Sequence, residues 1–385
     1  MKQETIEQLE GYADMVREID IAVKYGEDFS KEKGTVQQFI NRLHPKRLNM
    51  TVSEVIEETP STKTFRLVNP EGPLPPFQAG QYVSLSIEVD NIKTSRAYSI
   101  SSAPSDTGYF DLTVRRMEKG LVSNHLLDHV RAGDTLIMSG PVGTFHHNPI
   151  IHDDTLVLLG GGCGITPLMS MVRDTIKRGL QRTLYLIYGN RSGDDIIYHE
   201  ELLQMAEKHA NFNYIPVLEQ PDAGYQGKTG YITGELIKEI IGNIEGKSFF
   251  ICGPPAMYNF CLPELQKLGV TNRKIRKEMF GTPINIWEYP GWPESVKPDQ
   301  VCTIKVNGEK KLETVASESI LVTLEKNGLV IPTTCRSGEC SLCRVKIMSG
   351  KVYQPQGTPV RKSDRDFGYV HSCVSYPLED VDILL

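Results

Sequence analysis

No uninterrupted apolar run in this 385-residue sequence reaches the ~18–20 residues that a membrane-spanning helix needs, so no span is expected. The first twenty residues are acidic and lack the apolar core of a secretory signal. The eight cysteines show no disulfide framework, and a cytoplasmic protein is the expectation. There is no surplus of basic charge. Lys and Arg number 42 against 48 Asp and Glu, a net charge of −6, which weighs against nucleic acid and anionic membrane surfaces as partners. Neither G-x-S-x-G nor H-E-x-x-H occurs, which leaves hydrolysis without a motif. The histidines form no metal set, and His146-His147 reads as an ordinary loop pair. Tryptophan is scarce, with only Trp287 and Trp292 present, five residues apart. Internal repeats and low-complexity segments are absent.

What is present is an ordinary globular composition, 39% hydrophobic and 23% charged, on a chain long enough for two to four domains. Half of its cysteines fall on one spacing. Cys335, Cys340, Cys343 and Cys373 read C-x4-C-x2-C-x29-C, the plant-type pattern for four thiolates around a [2Fe–2S] cluster. Gly338, Ser337 and Ser341 are small enough to let backbone N–H groups approach the inorganic sulfides. Zinc sites favour paired C-x2-C or Cys/His sets, and disulfides need an export context that is missing. Such a cluster carries one electron at a time.

In chain order, residues 1–47 read as a short helical N-terminal extension. Ile6, Leu9, Tyr12, Val16, Ile19 and Val23 recur at helical spacing, and a second short helix is expected over 35–43. Residues 48–149 alternate apolar and polar in six short strands broken by turns, the pattern of a small antiparallel six-stranded β-barrel, with one helical patch from Val122. Residues 150–282 alternate buried strands with helices and predict a parallel α/β domain. Residues 283–300 are proline-rich and read as a stiff linker whose two tryptophans pack on a domain surface. Residues 301–385 form a small mixed α+β unit around the cysteine loop, making the chain multidomain.

On a strand, Arg96, Tyr98 and Ile100 share one face and Ser99 takes the other. Arg can neutralise a phosphate, and Tyr can cover an aromatic ring. In Arg96-Ala97-Tyr98-Ser99-Ile100-Ser101-Ser102 the R-x-Y-S-x-x-S string resembles the flavin signature of the ferredoxin–NADP reductase superfamily. That family folds as a flavin-binding barrel followed by a nicotinamide-binding α/β domain, the order read above for 48–282. The resemblance implies that Arg96, Ala97, Tyr98 and Ser99 bind the flavin. It also makes Gly120, Leu121, Val122 and Ser123 the flavin pyrophosphate loop, whose helix N-terminal amides meet a diphosphate. A pyrophosphate makes the flavin FAD. FMN is the alternative, because phthalate dioxygenase reductase-like relatives share the domain order and use it.

Gly160-Gly-Gly-Cys-Gly-Ile-Thr-Pro167 resembles the family's nicotinamide loop, which brings Gly161, Gly162, Gly164, Ile165, Thr166 and Pro167 to the dinucleotide. Cys252-Gly253-Pro254-Pro255 resembles its CGPP motif, whose Cys lies beside the nicotinamide. Glu278-Met-Phe-Gly281 resembles the ExFG segment that closes the nicotinamide domain, with Phe280 near the flavin ring. The implied catalytic set is Ser99, Thr166, Cys252, Glu278 and Phe280. Arg191, Ser192 and Tyr198 could partly receive the 2′-phosphate of NADPH. Asp194, Asp195 and Glu219 place negative charge in the same neighbourhood, which disfavours that phosphate, could instead accept from a ribose hydroxyl, and favours NADH.

The C-terminal unit is identified as a ferredoxin-like (β-grasp) domain, and the domain order resembles the reductase components of multicomponent oxygenases. The expected function is NAD(P)H-dependent electron transfer from flavin through the cluster to a protein acceptor: an oxygenase, a hydroxylase, a P450 or another redox protein. Direct reduction of a small molecule at the flavin, or a redox-sensing carrier on the same scaffold, are the alternatives. Thr333, Thr334, Arg336, Ser337 and Glu339 are the expected docking rim.

Overall fold

The computed structural model describes residues 12–25, 40, 41, 43, 45–283 and 285–385. The chain divides into two units, Met1–Lys46 and Arg47–Leu385. In the first, helix α1 (Tyr12–Tyr25) carries Asp14 in its first turn and Lys24 in its last, each sign suited to the helix dipole. Ile6, Leu9 and most of the helix expected over 35–43 lie outside the described residues. Among the described residues no helix is long and apolar enough to cross a membrane.

The second unit begins with β1 (Leu48–Thr59), β2 (Thr62–Val68), β3 (Tyr82–Val89), β4 (Ile92–Ser99), β5 (Phe110–Arg115) and β6 (Thr135–Met138), which form one sheet in the order β4-β3-β6-β1-β2-β5. The pairings are antiparallel, and a bridge between Ile100 and Leu112 brings the outer strands together. Alternation along the strands sends Met50, Val52, Phe65, Leu67, Val83, Leu85, Ile100 and Leu112 into one core. Strand β4 starts at Ile92, five residues before the expected Ala97. The reason is a two-residue hairpin at Asp90-Asn91, whose φ angles of 51° and 62° suit Asp and Asn. Helix α2 (Leu121–His129) interrupts the strands as its apolar spacing predicts.

A six-stranded parallel sheet follows, built from β7 (Thr155–Gly161), β8 (Thr183–Asn190), β9 (Phe212–Leu218), β10 (Lys228–Thr229), β11 (Lys247–Cys252) and β12 (Ile275–Glu278) in the order β10-β9-β8-β7-β11-β12. Helices α3 (Ile165–Lys177), α4 (His199–Lys208), α5 (Gly234–Ile241) and α6 (Pro255–Lys267) connect the strands. Leu156, Leu158, Leu184 and Phe250 belong to one core, whereas Val157, Leu159, Ile187 and Phe249 belong to another, so consecutive residues alternate between two layers.

The C-terminal sheet comprises β13 (Val301–Val306), β14 (Lys310–Val315), β15 (Arg344–Ser349), β17 (Tyr369–His371) and β19 (Val381–Leu384), ordered β14-β13-β19-β15-β17. Strands β13 and β19 are parallel and the other pairs antiparallel. Short strands β16 (Val352–Tyr353) and β18 (Tyr376–Pro377) pair separately. Helix α7 (Ile320–Lys326) contributes Ile320 and Leu324 to the core, and α8 (Lys362–Asp366) is a short surface helix. In 283–300, Ile286 is buried with Tyr353 and Tyr376, and Trp292 meets the Tyr353 ring edge-on at 5.3 Å. Trp287 departs from expectation, being 40% exposed.

Candidate functional site

Three motifs read separately in the sequence end on neighbouring strands. Cys252, the last residue of β11, is in register with Gly160 on β7 and with Glu278, the last residue of β12. The glycine loop, the CGPP turn and the ExFG segment therefore leave the sheet together at the carboxyl ends of adjacent parallel strands, where open α/β sheets bind ligands. The loops touch through missing side chains. A Cβ on Gly164 would stand 2.2 Å from the Cys252 carbonyl oxygen, one on Gly161 2.7 Å from Met257 Sδ, and one on Gly253 2.5 Å from that sulfur. The three glycines thus close loop on loop, and the cradle they leave fits a dinucleotide backbone.

Gly162 adopts φ 51°, and its carbonyl accepts from the Tyr188 hydroxyl at 2.8 Å. Gly164 begins α3 with no side-chain cap, and the Ile165 amide donates back to the Gly162 and Cys163 carbonyls of the preceding turn. Thr166 Oγ1 donates to the Cys163 carbonyl at 3.1 Å, and Pro167 is buried in the first turn. Cys252 is 2% exposed, and burial pushes its thiol well above the ordinary range. A protonated thiol is a packing group beside a ligand rather than a nucleophile. Glu278 is buried too. Desolvation, with Glu339 and Cys335 nearby, raises its carboxyl to about 8, leaving it mostly neutral at pH 7.

On the barrel side, Ser99 pairs with Tyr82, Tyr98 with Val83, Ala97 with Ser84 and Arg96 with Leu85. The Ser99 hydroxyl is buried with no hydrogen-bond partner, which suits a strand that receives a polar ligand edge. Tyr98 packs partly on the barrel core and Ile100 is wholly within it. Arg96 Nη1 donates to Thr94 Oγ1 at 2.6 Å and to the Ser95 carbonyl at 2.7 Å. Burial, with the Arg336 cation nearby, lowers the Arg96 guanidinium to about 10, still charged at neutral pH. Gly120 heads α2 without a side-chain cap, leaving the amides of Leu121, Val122 and Ser123 available to an anion. A Cβ at Gly120 would lie 2.3 Å from Ser123 Oγ and 2.9 Å from Met117 Cβ.

Phe280 joins the two halves. Its ring meets Tyr82 edge-on, with centroids 5.8 Å apart and planes at 89°. Tyr82 is the partner of Ser99, and its phenol is raised by burial and by the nearby Cys335, Glu278, Cys340 and Glu339. One side chain thus has the flavin strand, the nicotinamide sheet and the cysteine loop as neighbours.

In that loop the Cys340 and Ser337 amides donate to Cys335 Sγ at 3.3 and 3.5 Å. The four thiols fall into two neighbouring pairs, Cys335 beside Cys340 and Cys343 beside Cys373. Among the described residues no three or more His, Cys, Asp or Glu gather as around one ion. Two pairs suit a cluster in which each of two irons takes two thiolates. Gly338 (φ 84°) lies where a Cβ would be 2.7 Å from Val374 Cγ2, and its carbonyl is 2.6 Å from Nδ1 of the buried His371.

Two expectations are corrected. Tyr198 and Asp195 do not stand free beside an adenosine ribose. The Tyr198 hydroxyl is buried against Thr113, while Asp195 accepts from Thr59 Oγ1 at 2.5 Å, from Ser61 Oγ at 2.8 Å and from Arg115. Both residues fasten the α/β domain to the barrel, leaving Arg191, Ser192 and Asp194 beyond β8. The docking rim also shrinks. Arg336 is 3% and Thr334 8% exposed, and of the five residues only Glu339 is exposed rather than buried or half-buried. Sequence reasoning missed Tyr82, whose role comes from strand register, and Tyr258, whose hydroxyl accepts from Gly253 N–H at 3.0 Å and donates to the Glu278 carbonyl. Its place five residues after Gly253 is the only signal either residue gave.

Comparison with known proteins agrees with this arrangement. Family models match an oxidoreductase FAD-binding domain at 48–147, an oxidoreductase NAD-binding domain at 158–262 and a 2Fe-2S iron–sulfur cluster binding domain at 304–378. The chain is 30% identical over 363 residues to the glycine betaine monooxygenase reductase subunit of Chromohalobacter salexigens, covering 91% of this chain and 97% of that one. It is 30% identical over 335 residues to the NADH oxidoreductase HCR of Escherichia coli, covering 86% and 96% respectively. The fold matches that of phthalate dioxygenase reductase with a TM-score of 0.67 at 22% identity, over 88% of this chain and 98% of that one.

Proposed function

Since the chain belongs to the ferredoxin–NADP reductase superfamily, in the branch that adds a C-terminal [2Fe–2S] domain, we propose that it is the reductase component of a multicomponent oxygenase. It is an NADH oxidoreductase that uses FAD and a [2Fe–2S] cluster. Its acceptor in this reading is an oxygenase component, as the name of the glycine betaine monooxygenase relative suggests. The observation that carries the reading is that Tyr82 pairs with the flavin string at Ser99 and meets Phe280 of the ExFG segment, with the cysteine loop nearby. Bound flavin and cluster together supply the conversion of a two-electron hydride donor into one-electron deliveries.

The chain's residues do the rest. Arg96, Ala97, Tyr98 and Ser99 seat the flavin, with the amides of Leu121–Ser123 behind Gly120 holding its pyrophosphate. Gly161, Gly162, Gly164, Ile165, Thr166, Pro167, Gly253 and Pro254 hold the dinucleotide. Cys252 and Thr166 orient the nicotinamide, and neutral Glu278 keeps a proton beside it. Phe280, which packs edge-on against Tyr82, would lie near the flavin ring and yield to the nicotinamide. Cys335, Cys340, Cys343 and Cys373 ligate the cluster. The domains in this reading are a helical extension at 1–47, the flavin barrel at 48–149, the nicotinamide domain at 150–282, a linker at 283–300 and the ferredoxin domain at 301–385. A cytoplasmic location suits eight cysteines that are all free thiols.

Anaerobic addition of NADH to the purified holoprotein is expected to bleach the flavin and cluster absorbance. Cys340→Ser is expected to lose the cluster and delivery to a protein acceptor while keeping NADH-driven ferricyanide reduction at the flavin. Undiminished delivery by the cluster-free variant would overturn the assigned path.

A further inference from the structure

Behind the cysteine loop lies a buried polar set that spans two domains. Arg336, the residue after Cys335, has φ 56° and is 3% exposed. Its guanidinium makes a two-pronged ion pair with Glu325 of α7, Nη1 to Oε1 at 2.7 Å and Nη2 to Oε2 at 2.9 Å. Glu325 is 4% exposed, so neither charge is solvated. The third member comes from the barrel. Thr94 on β4 donates its hydroxyl to Glu325 Oε2 at 3.0 Å. Thr94 Oγ1 in turn accepts from Arg96 Nη1 at 2.6 Å and from Arg336 Nη1 at 3.4 Å. A hydroxyl has one proton and two lone pairs, and here all three are used. Through this single oxygen, the arginine of the flavin string meets the arginine of the cluster loop.

Such an arrangement needs a reason, because a buried ion pair adds little net stability compared with apolar packing of the same volume. What it adds is geometry. A planar guanidinium gripping a carboxylate with two parallel bonds fixes distance and orientation together. The grip is aimed at a loop whose position sets the separation between cluster and flavin strand. Arg336 holds a left-handed backbone conformation that a non-glycine residue adopts only where its surroundings enforce it.

We propose that Thr94, Glu325 and Arg336 form an interdomain fastener that positions the cluster loop against the flavin strand for electron transfer. The proposal rests on the reading above, in which each transfer takes one electron from reduced flavin and adds it to the oxidised cluster. Thr94 and Glu325 are positioning residues, since they act through Arg336 and Arg96. The loop and the flavin strand then report on each other. Loosening the fastener frees the loop, and loop freedom costs transfer even when both cofactors are bound.

The test compares holoprotein with Thr94→Val, Thr94→Ser and Glu325→Gln. One readout is amide hydrogen exchange across 333–341. The other is the stopped-flow rate of cluster reduction after NADH, measured beside the rate of flavin reduction. Thr94→Val and Glu325→Gln are expected to speed exchange in the loop and to slow cluster reduction several-fold, while flavin reduction holds its rate. Thr94→Ser, which keeps the hydroxyl, is expected to restore both readouts. Unchanged loop exchange and unchanged cluster reduction in Thr94→Val would overturn the proposal, even if Glu325→Gln fails to fold. If NADH bleaches neither cofactor in the parent protein, the functional reading fails, and hydrogen exchange alone still decides whether the fastener holds the loop.

Discussion

Gly164 shows how one missing methyl group can carry a site. Its φ of −64° is open to any residue, so its requirement is one of space: a Cβ would sit 2.2 Å from the Cys252 carbonyl oxygen and 2.7 Å from Gly253 Cα. Gly189, one strand over, would place a Cβ no closer than 3.5 Å to its neighbours. Gly164→Ala is expected to lose about 1–3 kcal/mol in urea unfolding through overpacking, and to raise the KM for NADH as the two loops part. Gly189→Ala, in ordinary contact distance, should leave both nearly unchanged. Equal behaviour of the two variants would show that the loops have slack. The glycine motif was legible because loops that approach so closely exclude side chains. Tyr258 was not, because its phenol serves two backbone groups, Gly253 N–H and the Glu278 carbonyl, that no sequence pattern marks.

Among the elements, periodicity revealed the strands of strong alternation and the buried parallel runs. It failed where an element is polar or broken by proline. Strand β12 reads Ile-Arg-Lys-Glu, and α6 carries Pro255 in its first turn and Pro263 within it, so neither shows an apolar stripe. Yet β12 brings Glu278 beside Cys252, and only sheet order reveals that neighbour. The same part of the sheet holds a titrating group. His152 is 7% exposed, lies edge-on to Phe250 of β11 at 5.1 Å and accepts from Arg276 Nε of β12 at 2.8 Å. Burial, aided by the Arg276 cation, depresses its pKa to about 4. The unfolded imidazole titrates near its ordinary value of about 6.5, so the unfolded chain binds the proton first. This contribution to stability is complete above about pH 6.5 and is lost as pH falls toward 4. Melting temperatures between pH 7.5 and 5 are expected to fall less steeply for His152→Gln than for the parent. Parallel profiles would assign the acid sensitivity elsewhere.

Across the whole second unit, the order of domains could be read from the motifs, but the way the domains join could not. Interdomain contacts pair residues distant in sequence. Ser170 Oγ donates to the Ser102 carbonyl at 2.8 Å and Arg173 Nη1 to that of Ser101 at 2.9 Å, and although both carbonyls lie in the flavin string, no residue type there marks them as domain contacts. Asp195 is the instructive case, since proximity in sequence to Arg191 and Ser192 suggested a ribose contact. Its carboxylate is instead engaged by Thr59, Ser61 and Arg115 of the barrel. Asp195→Ala would strip these donors of their acceptor in a half-buried seam, a loss of about 1–3 kcal/mol. The expected result is a lower unfolding midpoint with the preference for NADH over NADPH unaltered, checked by denaturant titration and by the ratio of kcat/KM for the two dinucleotides. A carboxylate facing the ribose would give the opposite pattern. Its removal would relieve repulsion of the 2′-phosphate, raise activity with NADPH and cost little stability. The two measurements therefore separate a residue that joins domains from one that chooses the cofactor.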